Sequence, residues 1–288
     1  MWFYMIVGNG GGEMDSVAGF EIPVDDMKRA QKFYADAFGW RVVATPGMEE
    51  EGGMLVTGEM DEDSRPTGVG YINGALSPRE EPDAGVQLGV EVASMDAAVK
   101  RIEAAGGEVV VPKVDMGGYG WYARFRDTEG NLISLWEPAP MEEESAEAAG
   151  STAGAGGEGA MMNAVTHFEI PVDDFKRAQE FYADAFDWTN SAPPGMEGRY
   201  EMLMTTEVGE TYRPTRPGRI NGALYPRENP DAGVMITVEV PSVDEALDRV
   251  EAAGGEVVMP KMDFGGHGWY ARFRDTEGNI VSLWRANE

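Results

Sequence analysis

Residues 19–40, GFEIPVDDMKRAQKFYADAFGW, return as residues 167–188, HFEIPVDDFKRAQEFYADAFDW, and this pair decides the architecture. Working outward from it, residues 19–137 align without a gap on residues 167–285 at a constant offset of 148. Roughly two-thirds of the aligned positions are identical. GGYGWYARFRDTEGNLISLW (117–136) likewise matches GGHGWYARFRDTEGNIVSLW (265–284). A unit of about 120 residues has the size of a folded domain and is far longer than a solenoid repeat. The chain is therefore a tandem of two whole domains. Chemistry needed in both copies must stand at both equivalent positions, and neither histidine meets that condition: His167 aligns with Gly19 and His267 with Tyr119.

Within the first copy, alternation predicts a strand over 17–24, leading through Asp25 and Asp26 as N-caps into a helix with Ala30, Phe33, Ala37 and Phe38 on one face. Strand-like segments follow at 41–44, 54–58 and 69–76. The order then restarts: a strand over 86–92, a helix over 95–105 entered through Ser94 and closed by Gly106, and strands at 108–112, 121–126 and 131–136. In the second copy, Ser242 and Glu245 form a capping-box pair at the matching helix start. Each domain reads as β-α-β-β-β twice, which places the chain in the α+β class.

That order, together with FEIPVDD, FYADAFGW, the AAGGEVV turn and RDTEGNLISLW, resembles the vicinal oxygen chelate superfamily, which includes glyoxalases, extradiol dioxygenases, fosfomycin resistance enzymes and bleomycin resistance proteins. The resemblance covers both repeats. It implies, for each domain, a pair of βαβββ modules forming a curled mixed sheet, with helices on the outer face and a concave cleft on the other. A shared fold does not by itself choose among these functions.

Strand alternation locates the cleft face independently. Phe20, Ile22 and Val24 share one face of the first strand and Gly19 and Glu21 the other. Val86, Leu88, Val90 and Val92 oppose Gln87, Gly89 and Glu91, and Ile133 and Leu135 oppose Ser134 and Trp136. The apolar face belongs beneath the helices. The mixed face suits a ligand cleft, with Glu21, Gln87, Glu91, Ser134 and Trp136 as pocket residues of the first domain. Their counterparts in the second are Glu169, Met235, Glu239, Ser282 and Trp284, joined by His167. Tyr122, Arg124 and Arg126 lie near this face, and an ordinary ion-pair network is an equally good reading of its charges.

Metal-using members of the superfamily hold a divalent ion with His, Gln or Glu from the first strand of each module and Glu from the last. By that resemblance the first domain offers Gly19, Gln87 and Ser134, with small residues near Gly74, and the second offers His167, Met235, Gly222 and Ser282. Neither set is a good site for a divalent ion. No cofactor is expected. The alternative is one divalent metal ion in the second domain, held by His167, Glu169, Glu239 and His267.

With 51 acidic against 23 basic residues and a net charge of −28, nothing basic is left to neutralise phosphates, so nucleic acid and anionic membrane surfaces are not expected partners. Acidity spread over every element reads as the surface of a protein that stays soluble at high salt. The chain has no cysteine, which removes disulfides, thiolate metal sites and cysteine nucleophiles. The segment WFYMIV lacks the length of a membrane span and the cationic flank of a leader. A cytoplasmic protein is expected, with residues 1–13 as an extension and 14–138 and 163–288 as the domains. Residues 139–162 form an acidic Ala/Gly-rich linker whose average reach of roughly 25–30 Å lets the domains pair within one chain; homodimer formation stays open. Two functions follow. The leading one is metal-independent binding of a small organic molecule; the alternative is a metal-dependent lyase, isomerase or dioxygenase-like enzyme active only in the second domain through His167.

Overall fold

The computed structural model describes residues 15–44, 52–61, 65–81, 84–117, 119–139, 163–209 and 213–287. The expected N-terminal extension, all but the first residue of the linker, and residues 45–51 lie outside the described residues. The first domain runs β1 (Ser16–Val24), α1 (Met27–Phe38), β2 (Arg41–Val43), β3 (Gly53–Val56), β4 (Gly74–Pro78), β5 (Gln87–Glu91), α2 (Met95–Ala104), β6 (Glu108–Asp115), β7 (Gly120–Arg126) and β8 (Leu132–Pro138). The second repeats it as β9 (Ala164–Val172), α3 (Phe175–Phe186), β10 (Thr189–Ser191), β11 (Glu201–Met204), β12 (Asn221–Pro226), β13 (Met235–Glu239), α4 (Val243–Ala252), β14 (Glu256–Asp263), β15 (Gly268–Arg274) and β16 (Ile280–Ala286).

Each domain forms one eight-stranded mixed sheet, in the order β2-β3-β4-β1-β5-β8-β7-β6 and its counterpart β10-β11-β12-β9-β13-β16-β15-β14. The sheet is curled and keeps two free ends. Two module sheets meet where β1 runs antiparallel to β5. The helices begin as expected: Asp26 caps α1 by accepting from the Arg29 N–H at 3.0 Å, and Ser242 caps α4 by accepting from the Glu245 N–H at 3.3 Å. Helix α1 ends on Gly39 in the left-handed region, φ 75°.

Two strands differ from the sequence reading. β6 continues through Pro112 to Asp115, because it is the edge of the sheet and proline there removes no ladder bond. The segment read as a strand over 69–76 joins the sheet only from Gly74; Val69 and Ile72 instead bridge Pro217 and Val165 of the other domain.

Composition allowed each repeat a core of its own. In the structure there is one continuous core, because the helices of each domain lie on those of the other, α1 on α4 and α2 on α3. The Phe273 ring stands 6.0 Å from Phe33 and 5.6 Å from Phe38, and Phe125 stands 6.1 Å from Phe181 and 5.7 Å from Phe186. The helix face of each sheet is thus the domain interface, and the two clefts look away from it.

The RDTEGN turn fastens this interface twice, once in each direction. Asp275 accepts from the Tyr34 hydroxyl at 2.7 Å, and Asn279 donates to the Pro23 carbonyl at 3.0 Å. Glu277 accepts from the N–H groups of Asp25 and Asp26 at 2.9 and 3.0 Å, at the start of α1, and pairs with both arms of Arg29. Asp127, Asn131 and Glu129 make the same bonds to Tyr182, Pro171, Asp173, Asp174 and Arg177. Nothing in the sequence alone distinguishes this turn from an ordinary hairpin.

Candidate functional site

A bulge aims the histidine. The pairing of β9 with β13 jumps from His167 opposite Thr237 to Val165 opposite Val238, so Thr166 and His167 both face the cleft while Val165 and Phe168 enter the core. A bulged strand re-aims side chains in this way. The first domain carries the same irregularity between Val17 and Gly19, with Ala18 and Gly19 in the corresponding places.

His167 lines a cavity of about 350 Å³ in the second domain. Its walls are mostly apolar: Phe264, Trp284, Met202, Pro193 and Pro214 stand around it, and Gly70 of the first domain closes one side. The polar wall is a chain of hydrogen bonds. His167 Nε2 lies 2.8 Å from the Tyr200 hydroxyl, and the ring also bonds the Asn221 backbone. Tyr200 bonds Glu169, which accepts from Tyr270 at 2.6 Å and from Ser282 at 3.1 Å. Arg272 Nε donates to Tyr270 at 2.7 Å. Glu169 is buried, and loss of solvent raises its pKa against the hydrogen bond from Tyr270 and the charge of Arg272.

Burial lowers the His167 pKa to about 4, so the ring is neutral at physiological pH. Its folded pKa lies below its unfolded value of about 6.5. Its contribution to stability is therefore complete above that value and is lost as pH falls toward 4. Two-dimensional NMR of the imidazole should show no protonation until about pH 4, and His167→Gln should flatten the stability profile between those limits. A ring titrating near 6.5 contradicts this account.

The four residues of the metal alternative, His167, Glu169, Glu239 and His267, line this one cavity, as does Trp284. Met235 turns into a separate cavity of about 520 Å³ with Tyr225 and Arg272, and Ser282 lies buried behind Glu169. In the first domain Glu21, Gln87 and Trp136 line a cleft of about 540 Å³, and Ser134 is buried beneath it, donating to Gln87 at 3.3 Å. Its inner end is filled: Trp136, Met54 and Ala75 pack with Met116 and Tyr122. Burial there pushes the Tyr122 hydroxyl up to about 12.

Glu91 belongs to neither cleft wall, because Arg219 of the second domain reaches it at 2.6 Å in a buried pair. The reason is local. At the position equivalent to Arg219 stands Tyr71, whose ring lies against Gly58 and Gly68 and whose hydroxyl donates to the Glu59 carbonyl at 2.5 Å. Thr206 and Arg216 occupy the places of those glycines in the second copy, where a ring would collide, and Arg219 crosses instead. Glu239 remains in its own cavity, 3.9 Å from Arg213. Sequence reasoning missed Tyr200, Phe264 and Arg219. The signal was present in the aligned copies, where Gly52, Met116 and Tyr71 stand in their places.

The metal positions implied by the superfamily do not fit a divalent ion. Gly74 and Gly222 face the core, since a Cβ on either would meet the ring of Phe20 or Phe168; the cleft side of those strands carries Ala75 and Ala223. The second domain then offers His167 with Met235, Ser282 and an alanine. Glu169 is already engaged by Tyr270, Ser282 and Tyr200. Among the described residues, no three His, Cys, Asp or Glu side chains are grouped to hold a metal ion.

Paired βαβββ modules, with clefts on the faces away from the helices, define a vicinal oxygen chelate protein. The chain belongs to the Glyoxalase/Bleomycin resistance protein/Dioxygenase superfamily, whose model matches residues 14–135 and 164–283. It is 27% identical over 249 residues to the anthracycline biosynthesis protein DnrV of Streptomyces peucetius, covering 83% of this chain and 82% of that one. A glyoxylase-like domain-containing protein of Didymella fabae is 30% identical over 121 residues, 41% of this chain and 91% of that one. The Mn(II)-bound glyoxalase from Novosphingobium aromaticivorans superposes with a TM-score of 0.60 at 17% identity, covering 94% of this chain and 83% of that one, a likeness of fold. Among the described residues no helix is long and apolar enough to cross a membrane.

Proposed function

We propose that this chain binds a small organic molecule in the second-domain cavity without a metal ion. The observation that carries the reading is the cavity itself: about 350 Å³, with aromatic and aliphatic walls and one polar wall made by His167, Tyr200 and Glu169. Largely apolar clefts with a few fixed polar groups are the usual form of small-molecule sites. The donor set described above supports metal independence, and likeness to a protein named for anthracycline biosynthesis supports an organic ligand. The test is a thermal-shift screen on chelator-treated protein, followed by titration of the hits. Tyr200→Ala and Trp284→Ala should each weaken binding at least ~10-fold, as expected for aromatic anchors of a pocket. Stoichiometric metal in the purified protein, with ligand binding lost on chelation, would sink this reading.

An enzyme active only in the second domain is the second reading, and one observation favours it: the hydrogen-bonded His167 and Tyr200 are both glycines, Gly19 and Gly52, in the first copy. Turnover of methylglyoxal with a thiol, or of a catechol, abolished in His167→Ala, would replace the binding reading.

A further inference from the structure

The two clefts share a frame but differ at one position that reports what the first cleft can hold. In the second domain the Tyr225 side chain, 4% exposed, lies with its ring 5.2 Å from the Arg272 guanidinium carbon, and its hydroxyl donates to the Gly233 carbonyl at 3.1 Å. Glu228 holds Arg272 from outside at 2.8 Å. The charged partners of that ring are repeated in the first domain, and its glycine recurs in the sequence beside Ala84, which lines the cleft. Arg124 stands in the place of Arg272, with Glu80 on it at 3.0 Å, and Gly85 stands in the place of Gly233. The backbone register is the same, Ser77 opposite Pro23 as Tyr225 is opposite Pro171, and Arg124 opposite Ser134 as Arg272 is opposite Ser282. The ring is missing: Ser77 replaces Tyr225, and Ser77 and Arg124 both line the cleft of about 540 Å³.

We propose that the first-domain cleft is a second ligand site, distinct from the second-domain cavity, and that it takes a phenol whose ring stacks on Arg124 beside Ser77 and whose hydroxyl points to the backbone turn at Ala84, as that of Tyr225 points to the turn at Gly233. The second copy supplies the template, since its own chain places a phenol on the same frame. A guanidinium over an aromatic face is an attractive pair in a partly desolvated site. In the second copy a backbone carbonyl meets the phenol hydroxyl, and an equivalent acceptor at the turn would select a phenol over a plain arene, because a hydroxyl that leaves water must find a partner. Glu21, 3.8 Å from Arg124, and Gln87 lie further along the cleft and would meet polar substituents on a larger phenol.

The probe is 4-methylphenol, the tyrosine side chain without its backbone, titrated into the full chain by calorimetry and by saturation-transfer NMR. For so small a ligand, saturable binding with a Kd on the order of 1 mM is expected. Ser77→Tyr fills the space as the second copy does and should abolish this binding; Arg124→Met should weaken it about 10-fold through loss of the stacked cation. Tyr225→Ser should add a second equivalent site. Toluene should bind more weakly than 4-methylphenol. The double change His167→Gly with Tyr200→Gly, which reshapes the second-domain cavity, should leave the titration unaltered, so this site and the one proposed above fail or stand separately. The proposal is overturned if the unaltered chain shows no saturable binding, or if its binding survives both Ser77→Tyr and Arg124→Met in chains that melt cooperatively.

Discussion

Residues 14–138 produced alone are expected to yield a homodimer and no folded monomer. The helix side of the first domain is covered in the whole chain by α4 lying on α1 and α3 lying on α2, and Phe125 packs on Phe181 and Phe186 of the other domain. Alone, the domain would expose this apolar face to water, at roughly 25 cal/mol for every Å² left uncovered. It also carries both halves of the clasp. Tyr34, Arg29 and Pro23 match Tyr182, Arg177 and Pro171, and Asp127, Glu129 and Asn131 match Asp275, Glu277 and Asn279. A second copy can therefore take the place of the missing domain across a two-fold axis. Sedimentation equilibrium checks this, with a melting temperature that rises with protein concentration as the companion sign. A monomer with a cooperative, concentration-independent melt would show that the shared core is dispensable.

Glu277→Ala is expected to destabilise the chain by about 1–3 kcal/mol, because it leaves two part-buried amide groups at the start of α1 without their acceptor. The Glu277 side chain is fully buried and accepts from the N–H of both Asp25 and Asp26, where the helix dipole also favours a negative charge. Arg29 is half exposed, so Arg29→Ala should cost clearly less than Glu277→Ala. Hydrogen bonds from Arg29 and the two amides hold the Glu277 pKa below its usual value, although burial opposes them. Its contribution is present above the unfolded pKa and is lost as pH falls through the folded one. Asp275, two residues away, has the opposite sign: burial raises its pKa, and its contribution declines as pH rises through the folded value. Chemical denaturation of Glu277→Ala at neutral pH and in acid should show the difference from the parent shrinking in acid. An equal difference at both would mean that Glu277 acts by packing alone.

The frame was legible because period-two alternation and the repeat are local or internal properties of a chain. Glu21, Gln87 and Trp136, with Glu169 and Trp284, were read onto the cleft face by alternation, and the structure places them there. Alternation fails where a bulge interrupts it, as at Thr166 and His167, because one extra residue shifts the face without changing composition. Contacts between the copies were not legible. Arg219 on Glu91 and Glu277 on Arg29 join residues more than a hundred positions apart, and no spacing rule reaches that far. Met235 and Ser282 were assigned to the same pocket as His167; their strand positions were sound, but the intervening Glu169 and Tyr270 fill the space between them.

Two outward clefts on one inward core separate what can change from what must not. A substitution in the Phe33, Phe125, Phe181 and Phe273 set burdens both halves at once, whereas Tyr225 for Ser77, or His167 for Gly19, alters one cleft and leaves the other intact. The duplication thus joins two clefts to one shared core, and residues of one cleft can change without loading the other.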